Sequence, residues 1–146
     1  MRELAEDAKG YRSITKSWFE NSPLLEMLKK LNGTESEIIL TTDHGTVHVE
    51  RAVKVLGEKE ISSNLRYKAG KNMQYKGKDV FEINDPKEAF LPKSNVSTKY
   101  IFARNDDFFA YPNNYNHYVK YYRNTFQHGG ISLEEMIIPV ITMKSK

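Results

Sequence analysis

Two short stretches hold the residue types on which catalysis or metal binding would depend. Asp43-His44-Gly45 sets a carboxylate beside an imidazole at a turn, and the pair can give one oxygen and one nitrogen to a divalent ion such as Zn²⁺ or Mn²⁺. The same dipeptide also suits an ordinary turn or helix cap. His128 stands before Gly129-Gly130, on a sharp turn with no neighbouring side chain to block a ligand; its other reading is a helix end closed by a glycine cap. His48, in an alternating stretch, and His117, in an aromatic helix, suit packing or surface roles better than ligation. The sequence has no Gly-rich phosphate loop, no Gly-x-Ser-x-Gly elbow and no Cys/His zinc framework.

Positioning such residues requires elements that end where they stand. Leu4, Ala5, Ala8 and Tyr11 through Phe19 have approximate helical spacing, predicting a first helix bent or broken near Gly10. Ser22-Pro23 caps a second helix whose Leu24, Leu25, Leu28 and Leu31 share one face up to Asn32-Gly33. Glu37 to Thr42 reads as a buried strand with Asp43-His44 at its carboxyl end, the place where α/β sheets collect ligand-binding groups. Thr46 to Val49 and Asp79 to Ile83 are short strand candidates. Ser97 to Ala103 and Asp107 to Tyr111 suggest a hairpin, Asn113-Asn114 a cap for a helix running from Tyr115 to Phe126. Ser132-Leu133-Glu134-Glu135 has capping-box spacing for a short helix, and Val140 to Met143 reads as a terminal strand. Alternating helices and strands argue for an α/β fold.

The length of 146 residues suits a single domain, and no apolar run approaches the roughly 18 residues of a membrane span. The charged amino-terminal stretch and the lack of cysteine suggest neither secretion nor disulfides, so a cytoplasmic location with no membrane partner is the expectation. A net charge of +3 over the whole chain does not argue for nucleic-acid binding. The charge is uneven: residues 51–80 hold 8 Lys/Arg against 3 Asp/Glu, and with three glycines they read as a basic surface excursion rather than core. Tyr100 to Phe126 contains 10 of the 17 aromatic residues, so core is expected there.

Thr41-Thr42-Asp43-His44-Gly45, followed by Phe126-Gln127-His128-Gly129-Gly130-Ile131-Ser132-Leu133-Glu134-Glu135, resembles the carboxyl-terminal part of a PglZ domain of the alkaline phosphatase superfamily. Arg2 to Asp7, Asn64 to Lys68 and Tyr111 to Tyr118 further resemble the PglZ half of PorX-like response regulators of Bacteroidetes, and the likeness covers essentially all residues. The resemblance implies an alkaline-phosphatase-like sheet flanked by helices, of which residues 1–146 form the carboxyl-terminal part. It implies a two-metal, zinc-type site in which Asp43 and His44 bind one ion and His128 the other, with the remaining ligands and a Thr or Ser nucleophile upstream. Thr41 and Thr42 do not match that nucleophile.

By the same resemblance the intact protein is a metal-dependent phosphohydrolase or phosphodiesterase of two-component signalling linked to type IX secretion. Its substrate would be a phosphate ester or nucleotide, and this chain alone should be inactive. Arg66, Lys68 and Lys71 of the basic excursion can complement a phosphodiester, or be solvated surface charges. The competing expectation is a non-catalytic module that contacts signalling proteins or forms a homodimer through exposed apolar surface.

Overall fold

The structure is a computed structural model describing residues 7–57 and 62–144. In chain order its helices and strands begin with α1 (Ala8–Glu20), α2 (Pro23–Leu31), β1 (Glu37–Thr41), β2 (Val47–Val49), β3 (Arg51–Lys54) and β4 (Tyr67–Gly70). There follow β5 (Val80–Ile83), β6 (Lys99–Ala103), β7 (Asp107–Ala110), α3 (Tyr115–Tyr122), β8 (Thr125–Gln127), α4 (Leu133–Met136) and β9 (Val140–Lys144). The class is mixed α/β, as expected. Among the described residues no helix is long and apolar enough to cross a membrane. The chain divides into one unit of residues 1–43 and 138–146 and another of residues 44–137.

In the first unit, α1 starts where the Asp7 carboxylate accepts the Gly10 amide at 2.6 Å. Gly10 therefore sits in the first turn, where its flexibility costs little, and the expected break there is not seen. Leu4 and Ala5 lie outside the described residues. α2 is capped by Ser22 and begins with Pro23, with Glu26 early and Lys29 and Lys30 late, as the helix dipole favours. β1 pairs antiparallel with β9, from Glu37 opposite Lys144 to Thr41 opposite Val140. The expectation of a buried first strand is not met, because Ile39 is 64% and Val140 66% exposed. Two strands alone make a ribbon that buries little of either face.

The second unit is held by a fully buried strand. All four residues of β7 are buried, with Phe109 packed among Val53, Val55, Val80 and Ile101 and Phe108 in a second cluster with Val49 and Ala110. A fully buried Phe contributes about 2–3 kcal/mol, so two in sequence make β7 the anchor of the unit. β7 pairs in parallel with β3, while β6 lies between β4 and β5, antiparallel to both. The expected β6–β7 hairpin is thus replaced by two different sheets. Left-handed Asn105 turns the chain, and Arg51 of β3 clamps Asp107 of β7 with hydrogen bonds of 2.6 and 2.5 Å.

Among its described residues the basic segment contributes strands and buried side chains. Arg51 and Lys54 are exposed and carry charge outward, while Val53 and Val55 alternate with Lys54 into the core. The expected long aromatic helix also ends early: left-handed Asn124 follows α3, and Phe126 belongs to β8, which pairs antiparallel with β2. Tyr115, Val119 and Tyr122 form the face of α3 that packs on the Phe108 cluster.

Candidate metal centre

The β2–β8 pairing brings two turns distant in sequence to one place. Val47 lies opposite Gln127, so the chain before β2 and the chain after β8 leave the ladder at the same end. His44 and His128 stand on those departures, and their rings stack at 3.8 Å between centroids with planes 10° apart. His44 is half-buried, and its Nδ1 lies 2.8 Å from the Gly45 carbonyl oxygen. Asp43, exposed, is its covalent neighbour.

Both turns rest on the start of α4. The Gly45 amide donates to the Glu135 carbonyl at 2.9 Å, and a Cβ on Gly45 would stand 1.9 Å from the Glu134 carbonyl oxygen. Gly129 has φ +97°, a conformation that favours glycine, and a Cβ there would press on the Asn64 side chain at 2.6 Å. At Gly130 a Cβ would meet the Glu135 carboxylate at 2.5 Å. The glycines after each histidine are therefore there for close approach of backbone to its support.

That support is a buried ion pair. Arg66, 0% exposed, donates from Nε to Glu135 Oε1 at 3.0 Å and from its terminal nitrogen to Oε2 at 2.9 Å, and donates also to the Asp107 carbonyl. Glu135 in turn accepts the Gly130 amide at 2.9 Å and the Ser132 amide at 3.3 Å. Burial pushes the Glu135 carboxyl up, but the Arg66 guanidinium and the Gly130 amide outweigh it and hold the group below its ordinary range. Asn64 Oδ1 accepts the Arg66 amide at 2.7 Å and the Tyr67 amide at 3.2 Å, holding the loop that carries Arg66.

The planar fork of Arg66, expected to face a phosphate, is thus taken by a carboxylate of its own chain, in surroundings no substrate reaches. Lys68 is half-buried, its Nζ donating to the Ser62 carbonyl at 2.8 Å, and Lys71 is exposed. His48 lies edge-on to Phe126 at 5.2 Å and His117 is exposed beside Tyr118 and Tyr121. Sequence reasoning missed Glu135 as a partner of Arg66; its capping-box position showed that it would bond to the Ser132 backbone, but nothing local marks an arginine 69 residues away.

The paired imidazoles are the nitrogen donors that zinc-type ions take, whereas among the described residues no group of three His, Cys, Asp or Glu side chains is placed to hold a metal ion. The donor type fits, and the number is short of a closed coordination shell.

Lys68 also carries a pH dependence. Burial lowers its amine from the ordinary 10.5 to about 8. Below pH 8 both folded and unfolded chains hold the proton, and the buried charge opposes folding. Between about 8 and 10.5 the folded state releases it first, so this opposition fades as pH rises. Lys68→Met should therefore melt higher than the native chain at pH 7, with the difference shrinking by pH 10; a constant difference in thermal unfolding would contradict the assignment.

Among known families, residues 2–143 match the BREX system PglZ alkaline phosphatase-like domain. Comparison with curated proteins gives no match. The mixed α/β architecture agrees with that family, and the match spans nearly the whole sequence: the chain belongs to the PglZ, alkaline phosphatase-like family.

Proposed function

We propose that the chain is the carboxyl-terminal part of a metal-dependent phosphohydrolase or phosphodiesterase, the effector domain of a two-component response regulator, and that Asp43, His44 and His128 are among its metal ligands. The observation that carries the reading is the stacking of His44 on His128 at 3.8 Å, which unites two turns far apart in sequence. Membership of an alkaline phosphatase-like family supports the reaction class.

In such a site paired metal ions, zinc in this reading, hold phosphoryl oxygens and lower the pKa of a nucleophile. This chain's residues supply donors and hold them still. Asp43 offers negative charge and the two imidazoles neutral nitrogen. The Arg66–Glu135 pair fixes the Gly130 end of the His128 turn, and the Glu135 carbonyl fixes the Gly45 end of the His44 turn. Arg66 is a positioning residue here, and among the cations expected from the sequence exposed Lys71 adds positive charge that attracts a polyanionic phosphate ester. Thr41 and Thr42 do not match the nucleophile that the family resemblance implies, so on this reading the chain by itself turns over negligibly.

The test is hydrolysis of bis(4-nitrophenyl) phosphate with added Zn²⁺ by a protein that includes the whole domain. His44→Ala and His128→Ala should each lower kcat/KM by about 100-fold or more, since even loss of a ligand's hydrogen-bonded partner costs 10–100-fold. His117→Ala should leave it unchanged. Full activity of His44→Ala, or robust hydrolysis by the 146-residue chain alone, would contradict the proposal.

One observation favours the second reading, an interaction or dimerisation module: Ile39, Leu40, Val140 and Ile141 of the β1–β9 ribbon are all exposed. Under that reading the metal-ligand variants leave signalling intact while charges placed on the ribbon abolish it.

A further inference from the structure

We propose that the cavity beside β4 binds a small planar aromatic molecule carrying one negative charge. The cavity has a volume of about 530 Å³, and Leu65, Tyr111, Tyr118 and Tyr122 line it together with Ser62 and Lys68. That size lies within the range of small-molecule sites, and apolar walls with a few polar groups are their usual make-up.

The wall and the charge point to the two halves of the ligand. Tyr118 and Tyr122 hold their rings 14° from parallel with centroids 6.2 Å apart, aromatic faces of common orientation against which another ring can lie. Lys68 brings a cation into half-buried surroundings. Its amine donates to the Ser62 carbonyl at 2.8 Å, and among the described residues it enters no ion pair. An ammonium has three donors, so an anion in the cavity finds both charge and hydrogen bonds. Burial lowers the pKa of this amine to about 8, the mark of a desolvated cation that no carboxylate among the described residues offsets.

The site shares no ligand with the metal centre. Along one loop Ser63 and Leu65 line the cavity, whereas Asn64 and Arg66 engage the His128 turn. The proposal accordingly stands or falls independently of the metal reading.

Isothermal titration of the 146-residue chain with 1-naphthoate tests it, with 1-naphthalenemethanol as the ring without charge and cyclohexanecarboxylate as the charge without ring. Naphthoate should bind saturably with one site per chain, and both controls about tenfold or more weakly, as expected for loss of a charged hydrogen bond or of ring stacking. Lys68→Met should weaken naphthoate binding about tenfold on the same grounds. Tyr118→Leu, at an exposed position that leaves the fold unburdened, should weaken it several-fold. No saturable binding by the native chain, equal binding of either control, or native affinity in Tyr118→Leu would each overturn the proposal, even if Lys68→Met failed to fold.

Discussion

Replacing Glu135 by alanine should destabilise the unit of residues 44–137 by about 3–5 kcal/mol, the cost of stranding a buried charge when its partner is removed. Arg66 and Glu135 side chains are 0% and 1% exposed, so neither can turn to water once the other is gone. Arg66→Ala should cost a similar amount, leaving a buried carboxylate. Arg66→Met combined with Glu135→Leu should recover part of the loss, because two apolar side chains of similar volume remove the desolvation penalty on both sides. Recovery stays partial, since the Gly130 and Ser132 amides lose their acceptor. Because the Glu135 carboxyl is held below its ordinary range, its contribution is present above the unfolded carboxylate pKa and is lost as pH falls through the folded value. Chemical unfolding at neutral pH of the native chain, Arg66→Met, Glu135→Leu and the double variant checks the coupling; losses that simply add would show that the pair is not coupled.

The second large effect is at Gly45. With 1.9 Å between an added Cβ and the Glu134 carbonyl oxygen, Gly45→Ala cannot be absorbed by a side-chain rotation, because the obstacle is backbone. The turn must lift away from α4, break the Gly45 to Glu135 hydrogen bond and carry His44 off the His128 ring. Overpacking of this kind costs about 1–3 kcal/mol, and the lost bond adds about 1 kcal/mol. Gly77→Ala is the control, since nothing lies within 4 Å of a Cβ there. Equal melting temperatures for the two variants would mean that Gly45 is not held against α4.

Much of the local structure was legible in the sequence, and the parts that were not share a physical reason. Ser22-Pro23 and the leucines after it specify α2 through capping and periodicity, which are local. The glycine-flanked histidines pointed to the two turns that the β2–β8 ladder unites. Strand pairing is not local: Phe108 and Phe109 read as a hairpin arm, but neighbouring side chains on a strand face opposite ways, and each served a different cluster. The valines at 53 and 55 were hidden by basic neighbours on the outward face. Arg66 misled most, because a guanidinium suited to a phosphate is equally suited to a carboxylate, and only the fold shows which one it meets.

The most direct test of the metal centre is a Zn²⁺ titration of the 146-residue chain followed by nitrogen-15 resonances of its four histidine rings. Both His44 and His128 should shift on addition of Zn²⁺, with weak affinity for a donor set that is short of a closed shell. His48 and His117 should stay where they are. A Zn²⁺ titration that leaves His44 or His128 unshifted, or a response of His117 as large as theirs, would contradict the account.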